Sequence, residues 1–537
     1  MVITTLEELE ELAKEQREKQ SQKEIKVCLG TTCLALKADE LKDELSSELK
    51  NANLESSCSI KGVGCNGLCA AGALVTVTDT KTDNEIIYQK VKKSNAKEIS
   101  ESIKNDTVCK NLQCDTTAPF FTKQKKIVLD NAGIIDPESI NDYIARDGYQ
   151  ALFEVLSHSH SEDVIEEIKK SGLRGRGGGG YPAGLKWETV SKVEATQKYI
   201  ICNGDEGDPG AFMDRAIMEA DPHKVLEGMI IAGYAVGADI GYIYVRAEYP
   251  LAVSMLKKAI KSAKRLGILG QSIAGTNFNF NIEVRLGGGA FVCGEATALI
   301  TSIEGNRGHP RQKPPHLSDN GLKGEPTVLN NVETYANIAP IIRNGGDWYA
   351  SIGTERSKGT KVFALTGQIV NTGLVEVPMG TTIREMIYDI GGGIPDNKNL
   401  KAIQTGGPSG GCIPPEYLDI ELEYESLKEI GSIMGSGGMI VMDESSSMVE
   451  VARFFVDFCK SESCGKCVPC RVGTVQMEKI LTKFVKKEAT KHDLEMLKEL
   501  CSVVKDTSLC GLGQTAPNPV ESTLKYFENE YLEGMQK

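Results

Sequence analysis

Three cysteines at every third position in the segment ESCGKCVPCR constrain this chain more than any other feature. Cys464, Cys467 and Cys470 are each separated by two residues, and Cys510 follows forty residues later in SLCGLG. Three thiolates at this spacing can wrap three corners of a [4Fe–4S] cluster, and a remote cysteine supplies the fourth. A zinc site is the alternative, but three ligands this close do not comfortably share one ion. The pattern therefore predicts a [4Fe–4S] cluster in a helical C-terminal region.

A second set of four cysteines lies near the N-terminus, in two pairs on glycine-containing turns. Cys28 and Cys33 bracket CLGTTC, and Cys65 and Cys69 bracket CNGLC. Four soft ligands on turns that expose N–H groups to sulfur are typical of a [2Fe–2S] cluster. Structural zinc or ordinary buried thiols remain open as alternatives, although these spacings are less usual for zinc. Cys58 lies seven residues before Cys65 and could replace one ligand.

Some of the remaining cysteines could form a zinc site or contact a partner. Cys459, His492 and Cys501 flank the [4Fe–4S] motif on helical segments and could converge on zinc with an unidentified fourth ligand. Cys109 and Cys114 repeat a four-residue spacing and could contact a partner or another cluster, or be plain thiols. The zinc site and the role of the second pair are therefore hypotheses only.

Charge and hydropathy exclude several classes of function. The net charge of −13 disfavours non-specific nucleic-acid binding, because a phosphate backbone would be repelled. The start of the chain has no basic head followed by an apolar core, so it does not resemble a secretory signal. The most apolar stretch, about 229–245, is better explained by a helix-to-strand switch near Gly241 than by a membrane span. We therefore expect a cytoplasmic protein without a membrane segment, in which the 16 cysteines stay reduced.

The periodicity of apolar residues divides the 537 residues, too many for one ordinary domain, into several units. Strand-like runs alternate with helical patterns over most of the chain, which predicts a multidomain α/β fold. A strand–turn–strand–helix–strand order then suggests a β-grasp module, and the last hundred residues are mainly helical. The predicted units are a solvated helix (1–24), a small α/β domain (25–104), a linker (105–125), an α/β cofactor domain (126–345), a β-grasp domain (346–437) and a helical domain (438–537).

A glycine-rich segment, SGLRGRGGGGYPAGLKW (171–187), predicts a cofactor site in the largest of these units. Bare backbone N–H groups beside Arg174, Arg176 and Lys186 can cradle a phosphate or let a flat ring approach the chain. Three later segments place glycine beside carboxylates or amides that can bond flavin edges and ribose hydroxyls. These segments are CNGDEGDPGAF (202–212), RLGGGAFVCGEATALITSIEG (285–305) and VLNNVETY (328–335).

Together these motifs closely resemble the NADH-binding flavoprotein subunit of respiratory complex I. They also resemble its soluble relatives, the beta or diaphorase subunits of bidirectional, NADP-reducing and electron-bifurcating hydrogenases and of formate dehydrogenases. The first hundred residues resemble a thioredoxin-like [2Fe–2S] ferredoxin domain, and its fusion to the flavoprotein is more like the soluble subunits. The resemblance implies a Rossmann-like FMN domain, an SLBB-type β-grasp domain and a helical bundle that carries the [4Fe–4S] cluster. It is carried by GLRGRGGGGYPAGLKW, CNGDEGDPG, GGGAFVCGEATAL, PTVLNNVET and ESCGKCVPCRVGT.

The same resemblance implies a set of FMN and nucleotide contacts. Tyr181 stands where the family has Phe near the nucleotide, and Asp208 stands where many members have Glu near the nicotinamide amide. No side chain is expected to act as a nucleophile or other catalytic group. The residues implied at the flavin are Gly175, Arg176, Gly177, Lys186, Asn203, Asp205, Glu206, Gly294, Glu295, Asn330, Asn331 and Thr334.

Two departures from the family pattern bear on the choice of coenzyme. Ala296 replaces a glutamate that, in NADH-using members, lies beside the adenosine ribose and repels a 2′-phosphate. His316 stands where the family often has Phe against the adenine, and Arg311 and Lys313 make this region more cationic. We therefore expect NADP(H) or relaxed coenzyme use, with neutral drift and retained NADH use as the alternative.

The resemblance implies an NAD(P)H oxidoreductase subunit that exchanges hydride with FMN and passes single electrons through the clusters. Its setting would be a soluble hydrogenase, formate dehydrogenase or transhydrogenase complex. The expected partners are a cluster-rich subunit and a small [2Fe–2S] subunit, with ferredoxin reached only indirectly. Bifurcating and simple electron transfer both remain open. The alternative functions are a non-catalytic iron–sulfur relay scaffold and a peripheral module of a complex I-like NADH:quinone oxidoreductase.

Overall fold

Three β-sheets organise residues 2–536, the part of the chain that the computed structural model describes. Ahead of the first sheet, helix α1 (Leu6–Glu18) begins at Thr5, whose side chain accepts a hydrogen bond from the Glu8 N–H. The sequence predicts a solvated helix, but Leu9 and Ala13 are buried against a later helical layer. The backbone N–H of Ile3 also donates to Leu266 at 2.9 Å, so the N-terminus is packed onto the body of the molecule.

The N-terminal domain contains a mixed four-stranded sheet in which β1 pairs in parallel with β2 and antiparallel with β3. A leucine at every fourth position gives its longest helix one apolar face, which is buried on the sheet. The sheet order is β2-β1-β3-β4. The elements are β1 (Lys23–Cys28), α2 (Thr31–Ala35), α3 (Ala38–Asn51), β2 (Cys58–Val63), β3 (Val75–Asp79), β4 (Asn84–Tyr88) and α4 (Ala96–Lys104).

The predicted linker, 105–125, is held against its neighbours along its length. The N–H of Cys114 donates to Ile87 at 2.7 Å, and both Cys109 and Cys114 are buried. A short helix, α5 (Pro119–Thr122), follows, and the Lys125 N–H then donates to Glu376 at 3.0 Å. The segment therefore ties the N-terminal domain to the chain beyond residue 345.

The central domain (126–350) is built on a fully parallel four-stranded sheet, in the order β7-β6-β5-β8. In such sheets ligands bind outside the carboxyl ends of the strands. The apolar stretch near residue 240 is a helix followed by a strand, α11 and β6. The elements are α6 (Ile140–Ala145), α7 (Gln150–His158), α8 (Ser161–Ser171), α9 (Ala183–Ser191), β5 (Tyr199–Gly204), α10 (Met213–Ala220), α11 (Pro222–Val236), β6 (Ile240–Arg246), α12 (Pro250–Arg265), β7 (Asn281–Gly287), α13 (Ala296–Ile303), β8 (Thr327–Asn331), α14 (Val332–Ala336), α15 (Ile338–Asn344) and α16 (Gly346–Ala350).

The next unit, called the five-stranded domain (351–443), has a mixed sheet in the order β10-β9-β13-β11-β12. Its central strand, β13, pairs in parallel with β9 and antiparallel with β11. Because β13 begins at Gly438, the boundary expected at 437 falls too early and would remove the middle of the sheet. The elements are β9 (Thr360–Gly367), β10 (Gly373–Pro378), β11 (Leu400–Thr405), β12 (Cys412–Ile413), α17 (Tyr424–Glu429) and β13 (Gly438–Asp443).

The helical domain (444–536) completes the chain around its own apolar core, which includes Val456, Leu481 and Leu497. A wide helical turn over 469–473 carries Cys470 into the start of α19. Within residues 2–536 no helix is long and apolar enough to cross a membrane. The elements are α18 (Met448–Ser461), α19 (Thr474–Val485), α20 (Lys491–Thr507), α21 (Gly511–Thr515), α22 (Asn518–Tyr526) and α23 (Glu528–Glu533).

Candidate functional site

A cavity of about 560 Å³ opens at the carboxyl ends of β5 and β8, where the central, five-stranded and helical domains meet. Its size is within the range of cofactor and ligand sites. Most of the residues expected at a flavin or nucleotide line it. They are Gly175, Gly177, Tyr181, Lys186, Asn203, Asp205, Glu206, Asp208, Gly294, Glu295, Ala296, Lys313, Asn330 and Asn331.

Sequence reasoning missed part of the cavity wall. Asp214 at the start of α10 lines the cavity, as do Ser409 and Ser436 from the five-stranded domain and Thr515 from the helical domain. The serines belong to the glycine-rich segments GGPSGG and GSGG, which were a usable signal. Their distance along the chain from the first glycine-rich loop concealed that they share its site.

The glycine-rich loop packs closely against Asn331 and Gly435, and it faces open space at Gly179. A Cβ atom built on Gly177 would lie 3.1 Å from the Cβ of Asn331, whereas one built on Gly179 would meet no atom within 4 Å. Gly178 has a φ of +108°, which favours glycine, and it faces Gly435. The loop therefore offers bare backbone to any ligand in the cavity.

Arg176 differs from expectation, because its side chain points away from the cavity and is fully buried. The guanidinium donates to the carbonyl of Lys358 at 2.6 Å, to the carbonyl of Thr360 at 3.0 Å and to the hydroxyl of Tyr349 at 3.0 Å. A fourth bond, to the carbonyl of Arg174, is 3.0 Å long. Arg176 thus supports the glycine-rich loop from behind and does not line the cavity.

Thr334 and His316 also lie outside the cavity lining. Thr334 is fully buried, and its hydroxyl accepts the Arg176 N–H at 2.9 Å, so it supports the same loop. His316 is exposed, and its carbonyl accepts the N–H groups of Asp319 and Asn320 in a turn. The expectation that Thr334 completes the flavin pocket and that His316 faces the adenine is therefore not met by their positions.

Four carboxyl groups give the cavity an unusual electrostatic character. Burial raises the pKa of Asp205 to about 7, of Glu206 to about 7 and of Asp208 to about 6. Burial also raises the pKa of Asp214, whose carboxylate accepts the Asn331 amide at 2.6 Å. Glu206 is bound by the N–H groups of Asp214 and Arg215, each at 3.1 Å. Such clustering of perturbed carboxyls in a cleft marks a functional site.

Unpaired acceptors show what kind of ligand the cavity fits. Both carboxylate oxygens of Asp205 and the amide oxygen of Asn330 are buried and have no hydrogen-bond partner. An unsatisfied buried acceptor costs about 1–3 kcal/mol. A ligand with N–H and O–H groups, such as the ring and ribityl chain of FMN, would satisfy them. These acceptors therefore fit FMN, with the bare glycine loop beside them.

Lys186 supplies a cation at the same cavity. Its ammonium group donates to the carbonyl of Leu329 at 2.7 Å. Burial, followed by repulsion from Lys313, lowers its pKa to about 8. An anionic group such as a phosphate would favour the charged form of this lysine.

The expected nucleotide side of the cavity contains one ion pair. Glu295 caps α13 by accepting the N–H groups of Thr297 and Ala298 at 2.8 and 3.0 Å. Its other oxygen accepts the Lys313 ammonium at 2.8 Å. Ala296 lines the cavity directly after this cap, so no second carboxylate stands there.

Cys464, Cys467, Cys470 and Cys510 surround a small apolar cavity beside the first one. Val292 and Leu512 line both cavities, so these two side chains lie between them. The Phe291 N–H donates to Glu462 at 2.8 Å, which ties the cysteine segment to the central domain. Four thiols around an apolar space fit a [4Fe–4S] cluster.

Cys28, Cys33, Cys65 and Cys69 form one group in the N-terminal domain. The sulfurs of Cys65 and Cys69 are 3.9 Å apart. Hydrogen bonds from Cys33 and Cys65 hold the pKa of Cys28 well below its usual range. Cys58 is excluded as a substitute ligand. It pairs with Lys23 at the start of β1, and Cys28 lies five residues later on that strand, about 16 Å from Lys23. The four residues fit a [2Fe–2S] cluster.

The zinc hypothesis fails on geometry. His492 and Cys501 lie nine residues apart on α20, which separates them by about 13 Å along the helix axis. His492 is exposed, whereas Cys501 and Cys459 are buried in two different apolar clusters. Within residues 2–536 no three His, Cys, Asp or Glu side chains converge as one metal ion requires. These three residues are therefore not a zinc site.

Comparison with known proteins agrees with this geometry. Residues 168–340 match the Nuo51 FMN-binding domain, and residues 450–534 match the NADH-ubiquinone oxidoreductase-F iron–sulfur binding region. The chain is 57% identical over 409 residues to the NADP-reducing hydrogenase subunit HndC of Solidesulfovibrio fructosivorans, covering 76% of this chain and 83% of that protein. It is 40% identical over 411 residues to an NADH-quinone oxidoreductase subunit of Rhizobium meliloti, covering 76% and 98%.

A solved structure extends the similarity to nearly the whole chain. A crystal structure of NAD⁺-reducing [NiFe]-hydrogenase in the H2-reduced state aligns with a TM-score of 0.68 and 26% identity. The alignment covers 99% of this chain and 91% of the other, so it includes the N-terminal domain. The chain therefore belongs to the family that contains this NADH-quinone oxidoreductase subunit and the NADP-reducing hydrogenase subunit HndC.

Proposed function

We propose that this chain is an NAD(P)H oxidoreductase subunit that uses FMN, a [4Fe–4S] cluster and a [2Fe–2S] cluster. The observation that carries the proposal is the shared wall of Val292 and Leu512 between the large cavity and the cysteine cavity. A flavin in the first cavity would be one side-chain layer away from a cluster in the second. Bound FMN supplies the chemistry that converts a two-electron hydride transfer into single-electron steps.

The protein's own residues bind and orient in this proposal. Asp205 and Asn330 would accept hydrogen bonds from the flavin, and Lys186 would attract its phosphate. The glycine-rich loop would leave room for a second flat ring against the first, and Tyr181 lines the same cavity. Holding two rings in fixed contact, with water excluded, is the main contribution that a protein makes to hydride transfer. No side chain is required as a nucleophile.

We further propose that NADP(H) is used, alone or together with NAD(H). The positions that support this are Ala296, which leaves no second carboxylate beside Glu295, and Lys313, which faces the cavity at 43% side-chain exposure. A 2′-phosphate would be attracted by the ammonium of Lys313. It would also meet one carboxylate fewer than in the NADH-using family members that have glutamate at the position of Ala296. The NADP-reducing activity named for the relative HndC points in the same direction.

The chain would act within a larger complex, because the electrons that reach its clusters need a further donor or acceptor. Both relatives named above are subunits of such enzymes. We propose a cluster-rich hydrogenase or dehydrogenase subunit as the electron partner, with a small [2Fe–2S] subunit beside it. We propose a cytoplasmic setting, in which cysteines that bind iron–sulfur clusters stay reduced.

Reduction of an artificial dye by the reconstituted protein tests the proposed function. We expect NADPH or NADH to reduce a viologen dye under anaerobic conditions, and we expect Gly177→Val to abolish both FMN binding and dye reduction. Ala195→Val is the control, since Ala195 is exposed and outside the cavity. A wild-type protein that binds FMN and clusters but reduces no dye would support the relay-scaffold alternative.

A further inference from the structure

Helix α10 connects the N-terminal cysteine site to the large cavity. Its first turn contains Asp214, which lines the cavity, and Arg215, whose N–H binds the cavity residue Glu206 at 3.1 Å. Its last turn contains Glu219 and Ala220, which contact the N-terminal domain. The helix has eight residues and is therefore about 12 Å long. One rigid element thus touches both proposed redox sites.

Glu219 holds the loop between Cys28 and Cys33. The two oxygens of its carboxylate accept the hydroxyl of Thr31 at 2.6 Å and the backbone N–H of Thr31 at 3.2 Å. Glu219 is 4% exposed, so these two bonds are shielded from water. Hydrogen bonds to a charged group stabilise more than those between neutral groups.

The loop that carries Cys65 and Cys69 is held from two sides. A Cβ atom built on Gly64 would lie only 2.3 Å from Ala220. The backbone of Gly64 therefore packs directly against the end of α10. On the other side the carbonyl of Gly67 accepts the Leu374 N–H at 2.8 Å, and the Ala70 N–H donates to Thr372 at 2.9 Å. The cysteine loop is thus wedged between the central and five-stranded domains.

Arg215 occupies the middle of this connection. Its guanidinium lies 5.5 Å from the ring of Phe212 and 5.6 Å from that of Tyr249, in the range of cation–π contacts. Its Nε is 3.8 Å from Glu219, and the hydroxyl of Tyr249 donates to the Glu206 carbonyl at 2.5 Å. A displacement of Glu219 would therefore be transmitted to Glu206 through Arg215 and Tyr249.

We propose that α10 fixes the [2Fe–2S] site against the flavin cavity, with Glu219 and Thr31 as its positioning residues. The N-terminal domain is then a fixed electron carrier of the flavin and does not move as a tethered shuttle. This inference rests on the proposed function in assigning electron transfer to the two sites. The position of the N-terminal domain is inferred only from its contacts with α10 and the five-stranded domain.

The test compares two rates in the full-length protein loaded with FMN and both clusters. After mixing with NADPH, flavin reduction is followed by absorbance and [2Fe–2S] reduction by freeze-quench EPR. Glu219→Gln keeps the shape but offers one acceptor oxygen where Thr31 needs two. We expect unchanged flavin reduction and a several-fold slower reduction of the [2Fe–2S] cluster in Glu219→Gln and in Thr31→Val. Thr31→Ser retains the hydroxyl and should restore the wild-type rate.

Hydrogen–deuterium exchange separates this inference from the proposed function. Losing one of the two bonds should speed exchange about tenfold at residues 28–36 and 213–220. Glu101→Gln, on the exposed face of α4 in the same domain, is the matched control and should change neither readout. Wild-type cluster reduction and exchange in both variants would overturn the inference. If neither NADPH nor NADH reduces the wild-type flavin, the proposed function fails, and the exchange data still decide the positioning.

Discussion

The ammonium group of Lys361 binds the carboxylate of Glu333 in a fully buried ion pair that joins the five-stranded domain to the central domain. The same ammonium donates to the carbonyls of Val362 at 2.9 Å and Ser436 at 2.5 Å. Glu333 also accepts the Val362 N–H at 2.9 Å. Since Ser436 lines the large cavity, this pair holds one wall of the proposed flavin site in place.

Replacing one partner of this pair should be costly. We expect Lys361→Met to destabilise the flavin-free protein by about 3–5 kcal/mol, because it leaves the Glu333 carboxylate buried without a cation. The measurement is the denaturant midpoint, followed by tryptophan fluorescence. Lys258→Met is the control, because its pair with Glu138 is about half exposed and should be worth about 1 kcal/mol or less. Equal midpoint shifts in the two variants would contradict the role of the buried pair.

Arg176 provides a second prediction, because it supports the glycine-rich loop without lining the cavity. Arg176→Lys keeps the charge but cannot reproduce a fork that reaches Lys358, Thr360 and Tyr349 together. We expect FMN to bind about tenfold more weakly, equivalent to about 1.4 kcal/mol, while both clusters are retained. Flavin fluorescence titration measures the affinity. Wild-type affinity in this variant would show that the brace is dispensable.

The position of Arg176 illustrates what the sequence could and could not predict. The segment RGRGGGG indicated a cofactor loop, and the cavity does lie beside it. The direction of the arginine depends on carbonyl groups near residue 360, about 180 residues later, and no local pattern encodes such a contact. Asp214 was missed for a related reason, since only the folding of α10 brings it to the cavity.

The cysteines show the same contrast. Short spacings such as those of Cys464 and Cys467 place ligands on one turn, so the pattern predicted which sulfurs lie together. The zinc hypothesis required Cys459 on α18 to converge with both His492 and Cys501 on α20. Whether helices bring such residues together depends on which faces pack, and here His492 is exposed while Cys501 is buried.

The raised pKa of Asp205 predicts a pH dependence of stability. Burial raises this pKa from 3.8 to about 7, so between these values the folded state binds more protons than the unfolded state. Stability of the flavin-free protein must then fall as pH rises through this window, because the ionised form is disfavoured in the fold. Asp205→Asn removes the ionisation. We expect its thermal midpoint relative to wild type to increase between about pH 4 and pH 7.

Asp396→Asn serves as the control for this pH dependence, because Asp396 is exposed and does not line the cavity. Its midpoint should follow that of wild type at every pH. A constant difference between wild type and Asp205→Asn across the window would contradict the assignment of the raised pKa to Asp205.

Coenzyme choice should respond to the residue after Glu295. Ala296→Glu adds a carboxylate at the cavity lining, where like-charge repulsion disfavours a 2′-phosphate. We expect the ratio of kcat/KM for NADPH to that for NADH to fall about tenfold or more, since 1.4 kcal/mol is a factor of ten. Ala195→Glu adds the same charge at an exposed position outside the cavity and should leave the ratio unchanged. An unchanged ratio in Ala296→Glu would refute this explanation of selectivity.

In the proposed function, one chain links a pyridine nucleotide, a flavin and two iron–sulfur clusters. The decisive measurement is an anaerobic titration of the reconstituted full-length protein with NADPH and with NADH, followed by flavin absorbance and EPR. At least one coenzyme should bleach the flavin and produce two distinct cluster signals. Cys467→Ser should remove one signal, Cys69→Ser should remove the other, and Cys58→Ser should keep both. A fully loaded protein whose flavin and clusters stay oxidised with both coenzymes would contradict the proposed function.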